Sequence, residues 1–268
     1  MQHQQEIEFT NYRTEKREEI QAMAKIIESM NMSDEFTIRE KDLLLRSFIV
    51  LVYAYWESCY HRIQKVVLER YLDLPIEDLP FQVKNKVYLS LISGKAGRNK
   101  SKPIKEITNY NVFQNINLGI LENQEKKLSE HNNSEIQKSI FNFKGNPSFE
   151  DLKKFMAGFN IRIERTIEKN VEANSLYPFL EDFITFIIKQ RNAIAHKNEK
   201  INYADQEFRT YFECINYLKE EYETTYEIRN LPQPSDFIKE MLFQIDQMFT
   251  FLIEEVDEQQ EGSGNNRN

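Results

Sequence analysis

The sequence predicts an all-α fold, a helical bundle with a long central helix and an inserted, partly irregular segment. Three observations carry this expectation. Glycine and proline are scarce, at 7 each in 268 residues. Apolar side chains recur at spacings of three and four. The longest apolar run, FIVLVYAYW (48–56), lies inside a much longer helical pattern. A chain of this length can bury a substantial core without disulfides or structural zinc. Its 40% hydrophobic and 29% charged residues suit a folded protein rather than a disordered one.

The first helix is expected within NYRTEKREEIQAMAKIIESM, where Ile20, Ala24, Ile27 and Met30 make an apolar stripe opposite charged residues. A second begins near Thr37, whose hydroxyl caps while Glu40 completes a capping box, and runs to about Leu74, before Pro75. Its centre is apolar on most faces, as the middle helix of a bundle requires. A shorter helix is expected over 76–93. GKAGRNKSKP (94–103) is glycine-punctuated and basic and is expected to be a mobile loop. Together with the weakly periodic stretch that ends at GNP (145–147), it makes a basic-loop insertion over 84–147. Ser148 and Asp151 form a box-like cap for SFEDLKKFMAGF. Three stronger helices follow at 175–197, 203–229 and 236–257, the first two capped by Asn174 or Ser175 and by Asn202. Residues 1–260 thus form a single domain without internal repeats, and the tail EGSGNNRN (261–268) is expected to be disordered.

Several function classes are disfavoured at this stage. The amino terminus shows no apolar secretory segment, and the run 48–56 is too short for a bilayer, which needs about 20 residues. Cys59 and Cys214 lack metal or redox spacing and read as buried thiols of a reducing, cytoplasmic compartment. No cluster of His, Cys or carboxylates has metal-site spacing. The net charge of −8 argues against a protein that coats nucleic acid. The average conceals Lys84, Lys86, Lys95, Arg98, Lys100, Lys102 and Lys105, a run without any acid where a polyanion would be met.

Four histidines make the search for general acids and bases short. His3 lies at the terminus and His131 in the polar SEHNNSE. His61 stands one turn after Glu57, the spacing of a helical side-chain pair. His196 closes FITFIIKQRNAIAHKNEK, where Arg191, Asn192 and His196 interrupt an apolar face. On an ideal helix Asn192 and His196 share a face, whereas Arg191 and His196 are about 140° apart. Either the helix ends between them, or a two-fold axis brings two such helices to one cleft. The plain alternative is an Arg191 paired with a surface carboxylate and a His196 at the helix carboxyl end, where the dipole favours a cation.

The segment RNAIAH resembles the motif of the HEPN ribonucleases, an Arg and a His separated by four to six residues with a polar residue after the Arg. The helix RSFIVLVYAYWESCYHRI (46–63), with Ala54, Tyr55, Trp56 and Glu57, is similar to the second signature of a HEPN branch from prokaryotic toxin and phage-defence loci. The resemblance covers about 37–75 and 150–230 and leaves 94–147 outside. It implies a HEPN-like helical bundle and a metal-independent endoribonuclease without cofactor, acting on RNA as a homodimer. Arg191 and His196 would be the catalytic pair, assisted by Asn192. Glu57 would stand near the site, or would only anchor His61 or a neighbouring helix. Apart from the resemblance, the positive charge of Lys95, Arg98, Lys100, Lys102 and Lys197 suits them to bind the RNA backbone, the alternative for the loop being a solvated surface connection. An antitoxin or defence partner protein is implied and no membrane. HEPN toxins controlled by a nucleotidyltransferase carry a Tyr two residues after the His. Here that position is Asn198, which speaks against such control. Two rivals remain: a catalytically silent HEPN-like interaction or sensing subunit, favoured by the acidic charge and long insertion, and a DNA-binding regulator, disfavoured because the basic residues sit in a loop.

Overall fold

The computed structural model of the chain describes residues 4–96, 123–130, 140, 145–170, 177–196, 201–226 and 234–265. In chain order these form α1 (Gln4–Asn31), α2 (Ile38–Tyr71), α3 (Phe81–Ala96), α4 (Phe149–Gly158), α5 (Ile163–Asn170), α6 (Tyr177–Ala195), the strands β1 (Ile201–Tyr203) and β2 (Gln206–Phe208), α7 (Tyr211–Tyr226) and α8 (Pro234–Asn265). The all-α expectation holds, with one short hairpin added.

The central helix α2 starts as its sequence requires. Thr37 Oγ1 accepts the Glu40 N–H at 3.3 Å, and the Glu40 carboxylate accepts the Thr37 N–H at 2.8 Å, so two otherwise orphaned donors are satisfied. At the other end the Leu72 N–H turns back to the Glu69 carbonyl, and the helix stops at Tyr71, before the expected Leu74. The exit of α2 is fastened to part of the insertion. Leu74 and Leu72 carbonyls accept from Leu128 and Ser129 at 3.1 and 2.9 Å, and Ile76 and Glu77 donate to Lys126 and Gln124 at 3.0 and 3.1 Å. The segment around 123–130 is therefore paired backbone, which the weak periodicity of the sequence did not show.

Helix α1 extends further toward the amino terminus than the expected start near residue 11. Phe9 continues the stripe of Ile20, Ala24 and Ile27, all fully buried, while Met30 is half-buried. α1 runs antiparallel to α2: the Gln5 N–H donates to Glu69 at 3.2 Å, Glu6 ion-pairs with Arg70, and Lys41 reaches the Asn31 carbonyl. α8 lies antiparallel to α1 and parallel to α2, as the pairs Arg13–Asp246, Tyr55–Asp246 and Arg70–Asp257 establish. Four helices meet at Trp56. Its ring packs against Phe149 of α4 at 6.1 Å and Phe249 of α8 at 5.8 Å, and Phe249 meets Phe9 edge-on at 5.7 Å. Each such fully buried aromatic stabilises the fold by roughly 2–3 kcal/mol relative to exposure.

The cap predicted for α4 is present, with Ser148 Oγ accepting from Asp151 at 3.1 Å and the Asp151 carboxylate accepting the Ser148 N–H at 3.0 Å. The helix closes with Asn160 in the left-handed region at φ 64°. The Asn160 and Ile161 N–H groups then return to the Ala157 and Met156 carbonyls, a Schellman ending.

Three further expectations need correction. The helix read over 203–229 begins only at Tyr211, and Asn202 is no cap. Residues 201–208 pair as a hairpin, with Ile201 opposite Phe208 and Tyr203 opposite Gln206. The turn residues Ala204 and Asp205 have φ of 47° and 60°, as a two-residue hairpin turn demands. No Asn-Gly or Asp-Gly marks that turn in the sequence. Tertiary contacts supply the reason: Tyr203 packs edge-on against Phe186 at 5.4 Å and Tyr217 at 6.3 Å, and Gln190 Nε2 donates to the Asn202 carbonyl at 3.1 Å. Thr210 caps α7 instead, accepting from Glu213 at 3.2 Å. Second, the stretch read as a loop from residue 94 begins helically, because α3 runs through Gly94–Ala96. Lys95 is thus on a helix, while Arg98, Lys100 and Lys102 lie outside the described residues. The first basic residue, Lys84, is neutralised by Glu77 at 3.0 Å. Third, α8 continues to Asn265, beyond the expected end at 257 and into the stretch expected to be a disordered tail.

Candidate functional site

The site is built where the middle of α2 meets the carboxyl end of α6. Phe183, Ile184, Phe186 and Ile187 bury one side of α6, and Gln190 is 2% exposed. Past this point the burial fades: Arg191, Asn192, Ala193 and Ile194 are half-buried, and Ala195 and His196 are exposed. The His196 N–H makes the last helical bond, to the Asn192 carbonyl at 3.0 Å. α6 ends at Ala195, one residue short of His196, but this bond keeps His196 on the last turn, so the two positions remain about 140° apart on an ideal helix.

Arg191 does not meet a carboxylate among the described residues. Its guanidinium lies over the ring of Tyr53, 4.8 Å from the centroid, and Nη1 donates to Asn192 Oδ1 at 3.1 Å. Asn192 thus engages Arg191 through its side-chain oxygen. The Tyr53 hydroxyl donates to Asn146 Oδ1 at 2.7 Å, and the Glu57 carboxylate, one turn further along α2, acts on the phenol electrostatically. Burial, the Glu57 contact and the Glu57 charge push the Tyr53 phenol up to about 12, with Arg191 opposing. Arg191, Tyr53 and Glu57 therefore form one cluster, joining elements far apart in sequence.

Of the α2 signature, Glu57 belongs to this cluster. Tyr55 and Trp56 face the core instead, where Tyr55 donates to Asp246 at 2.9 Å and Trp56 Nε1 to the Pro147 carbonyl at 2.7 Å. Ala54 is exposed. Tyr53 and Asn146 escaped the sequence reading. Tyr53 was detectable one turn before Glu57 on the same face, but nothing local to Asn146 announces it. Asn146 has φ 59°, so the GNP turn is held against α2 by a left-handed residue and by the Trp56 bond. His3, His131 and Lys197 lie outside the described residues.

His61, one turn beyond Glu57, is half-buried and meets the Tyr60 ring at 5.3 Å. Burial lowers its pKa from 6.5, Glu57 raises it and Lys65 lowers it further. A lowered folded-state value means that the unfolded chain takes up the proton first as pH falls. The contribution of neutral His61 is thus full above about 6.5 and is lost below it. Between about pH 7.5 and 5.5 the parent is expected to lose denaturant stability more steeply than His61→Gln. Parallel slopes from the two proteins contradict this assignment.

The outward face of α2 carries Leu43, Ser47, Val50 and Ala54 at exposed positions, followed by Glu57 and His61. Leu43 is 64% and Val50 38% exposed. Neither of two open cavities is lined by Arg191 or His196. One, of about 470 Å³, lies between α5 and α8 with Arg162, Arg165, Lys169 and Glu255 in its wall, and the other adjoins the hairpin at Asn202–Glu207. Among the described residues no group of three His, Cys, Asp or Glu is placed to hold a metal, and no helix is long and apolar enough to cross a membrane. Cys59 and Cys214 are buried and unpaired by disulfide.

No curated protein and no solved structure matches the chain significantly. A family model described as RiboL-PSP-HEPN matches residues 12–228, a span that takes in α2, the cluster at Tyr53 and Glu57, and the RNAIAH segment at the end of α6. The chain is therefore a member of the RiboL-PSP-HEPN family, within the HEPN superfamily.

Proposed function

We propose that this protein is a metal-independent endoribonuclease of a prokaryotic toxin or antiviral defence system, cutting RNA at a composite site of a homodimer. The observation that carries the reading is the placement of Arg191 beside the Tyr53–Glu57 face of α2, with the exposed His196 five residues further on, just past the end of α6. Cleavage of RNA by its own 2′-hydroxyl needs a base for that proton, an acid for the leaving 5′-oxygen and a cation on the developing phosphorane charge. The imidazole of His196 serves as base or acid, and the Arg191 guanidinium offers paired N–H donors to phosphate. Two copies of the chain supply both proton-transfer roles at one cleft.

The dimer rests on two features. Arg191 and His196 diverge by about 140° on one helix, so a second copy completes what one cannot. The apolar stripe of Leu43, Val50 and Ala54 borders Glu57 and offers a seam for the two-fold axis. Lys95, Arg98, Lys100, Lys102 and Lys197 add backbone contacts that do not read sequence.

Purified protein is expected to cut RNA in the presence of chelator, leaving 2′,3′-cyclic phosphate ends, and to resist substrate with 2′-O-methyl at the cut site. Light scattering is expected to give twice the mass of one chain, and Val50→Glu to yield an inactive monomer. Cleavage dependent on divalent metal, or full activity as a monomer, contradicts this reading. A well-folded parent that leaves RNA intact favours the silent interaction or sensing subunit.

A further inference from the structure

The contact between Tyr53 and Arg191 is unusual in what it leaves free. An arginine has a long stem and many rotamers, and a nuclease needs its guanidinium in one place. An ion pair would fix it but would occupy the N–H edges that phosphate requires. The Tyr53 ring instead lies beneath the guanidinium, 4.8 Å from its centroid to the central carbon. A cation is attracted to an aromatic face without spending its in-plane donors. Only Nη1 is engaged among the described residues, by Asn192 Oδ1.

The phenol is itself held. Tyr53 is 2% exposed, and its hydroxyl donates to Asn146. Asn146 sits in a turn whose next residue, Pro147, receives the Trp56 indole N–H. Trp56 is fully buried among Phe149 and Phe249. The support under Arg191 therefore reaches into the rigid core.

Resting on the nuclease reading above, we propose that Tyr53 is a positioning residue for RNA cleavage. Its ring fixes the Arg191 guanidinium with donor edges free for the scissile phosphate, and the bond from its hydroxyl to Asn146 holds the ring in place. Because the role concerns charge that develops during reaction, its loss falls on kcat more than on KM.

The test compares the parent with Tyr53→Phe, Tyr53→Leu and Arg191→Lys, alone and combined, with folding followed by circular dichroism. Tyr53→Leu is expected to lower kcat by about 10²-fold with little change in KM, and Tyr53→Phe, which keeps the ring, to recover most of that loss. In the Arg191→Lys background Tyr53→Leu is expected to cost little more, since the planar group that it supports is gone. If Tyr53→Leu does not fold, Tyr53→Met, which is closer in length and also lacks a ring, takes its place. A parental kcat in the ringless variant, or losses that simply multiply, overturns the role of Tyr53 while leaving the nuclease reading intact. A parent that does not cut RNA overturns both.

Discussion

Replacing His196 by Ala is expected to slow RNA cleavage by about 10²–10⁴-fold, the range that a positioned general acid or base contributes. The fold should not suffer. His196 is exposed at the end of α6, and its one described bond is made by its backbone N–H to Asn192, which alanine retains. Circular dichroism and RNA binding of the variant should therefore match the parent. Arg191→Lys separates a second role. The charge remains, but the planar two-donor grip and the stacking on Tyr53 are lost, so cleavage is expected to fall by about 10²-fold. Quantitation of cut RNA over time checks both. A His196→Ala protein that cuts at the parental rate removes this pair from the chemistry.

The largest expected effect on stability comes from Asp246, far from that site. Its Oδ1 accepts from Arg13 Nε at 2.7 Å and from the Tyr55 hydroxyl at 2.9 Å, and its Oδ2 from Arg17 at 3.2 Å. Arg13 is 8% exposed and also reaches Thr250 at 2.6 Å. Burial opposes the Arg13 charge, and the hydrogen bond and charge of Asp246 more than offset it. Asp246→Ala leaves a buried guanidinium and a buried phenol without their acceptor. The expected cost is about 3–5 kcal/mol, a large part of a total stability of about 5–15 kcal/mol. Replacing both partners, with Arg13→Met and Asp246→Leu together, is expected to restore much of the loss because no charge is then stranded. Denaturant midpoints measure the difference. A single variant as stable as the parent, or a double variant worse than the single, contradicts this account.

The helical frame was legible because its signals are local. Thr37 with Glu40 and Ser148 with Asp151 announce two helix starts through short-range hydrogen bonds, and Ile20, Ala24 and Ile27 announce a buried face through their spacing. Arg191, His196 and Glu57 were likewise singled out from sequence alone, by motif and by scarcity of histidine. Local pattern failed where long-range packing overrides it. The 201–208 hairpin has helix-compatible residues and no glycine in its turn, and Phe186, Gln190 and Tyr217 make it a hairpin. Arg13 read as part of a charged outer face, yet Asp246, over two hundred residues away in the chain, draws it inside.

The sequence by itself determined most of the helical segments, the faces that seek burial and the side chains that are candidates for chemistry, since these follow from side-chain type and spacing over a few residues. Only the tertiary structure decided what stands beside them. It set Tyr53 beneath Arg191, brought Asn146 and its left-handed turn to the Tyr53 hydroxyl, and turned Tyr55 and Trp56 into the core while leaving Glu57 at the site. Such neighbours are fixed by the packing of whole helices, whose contacts join residues with no short-range relation in the chain.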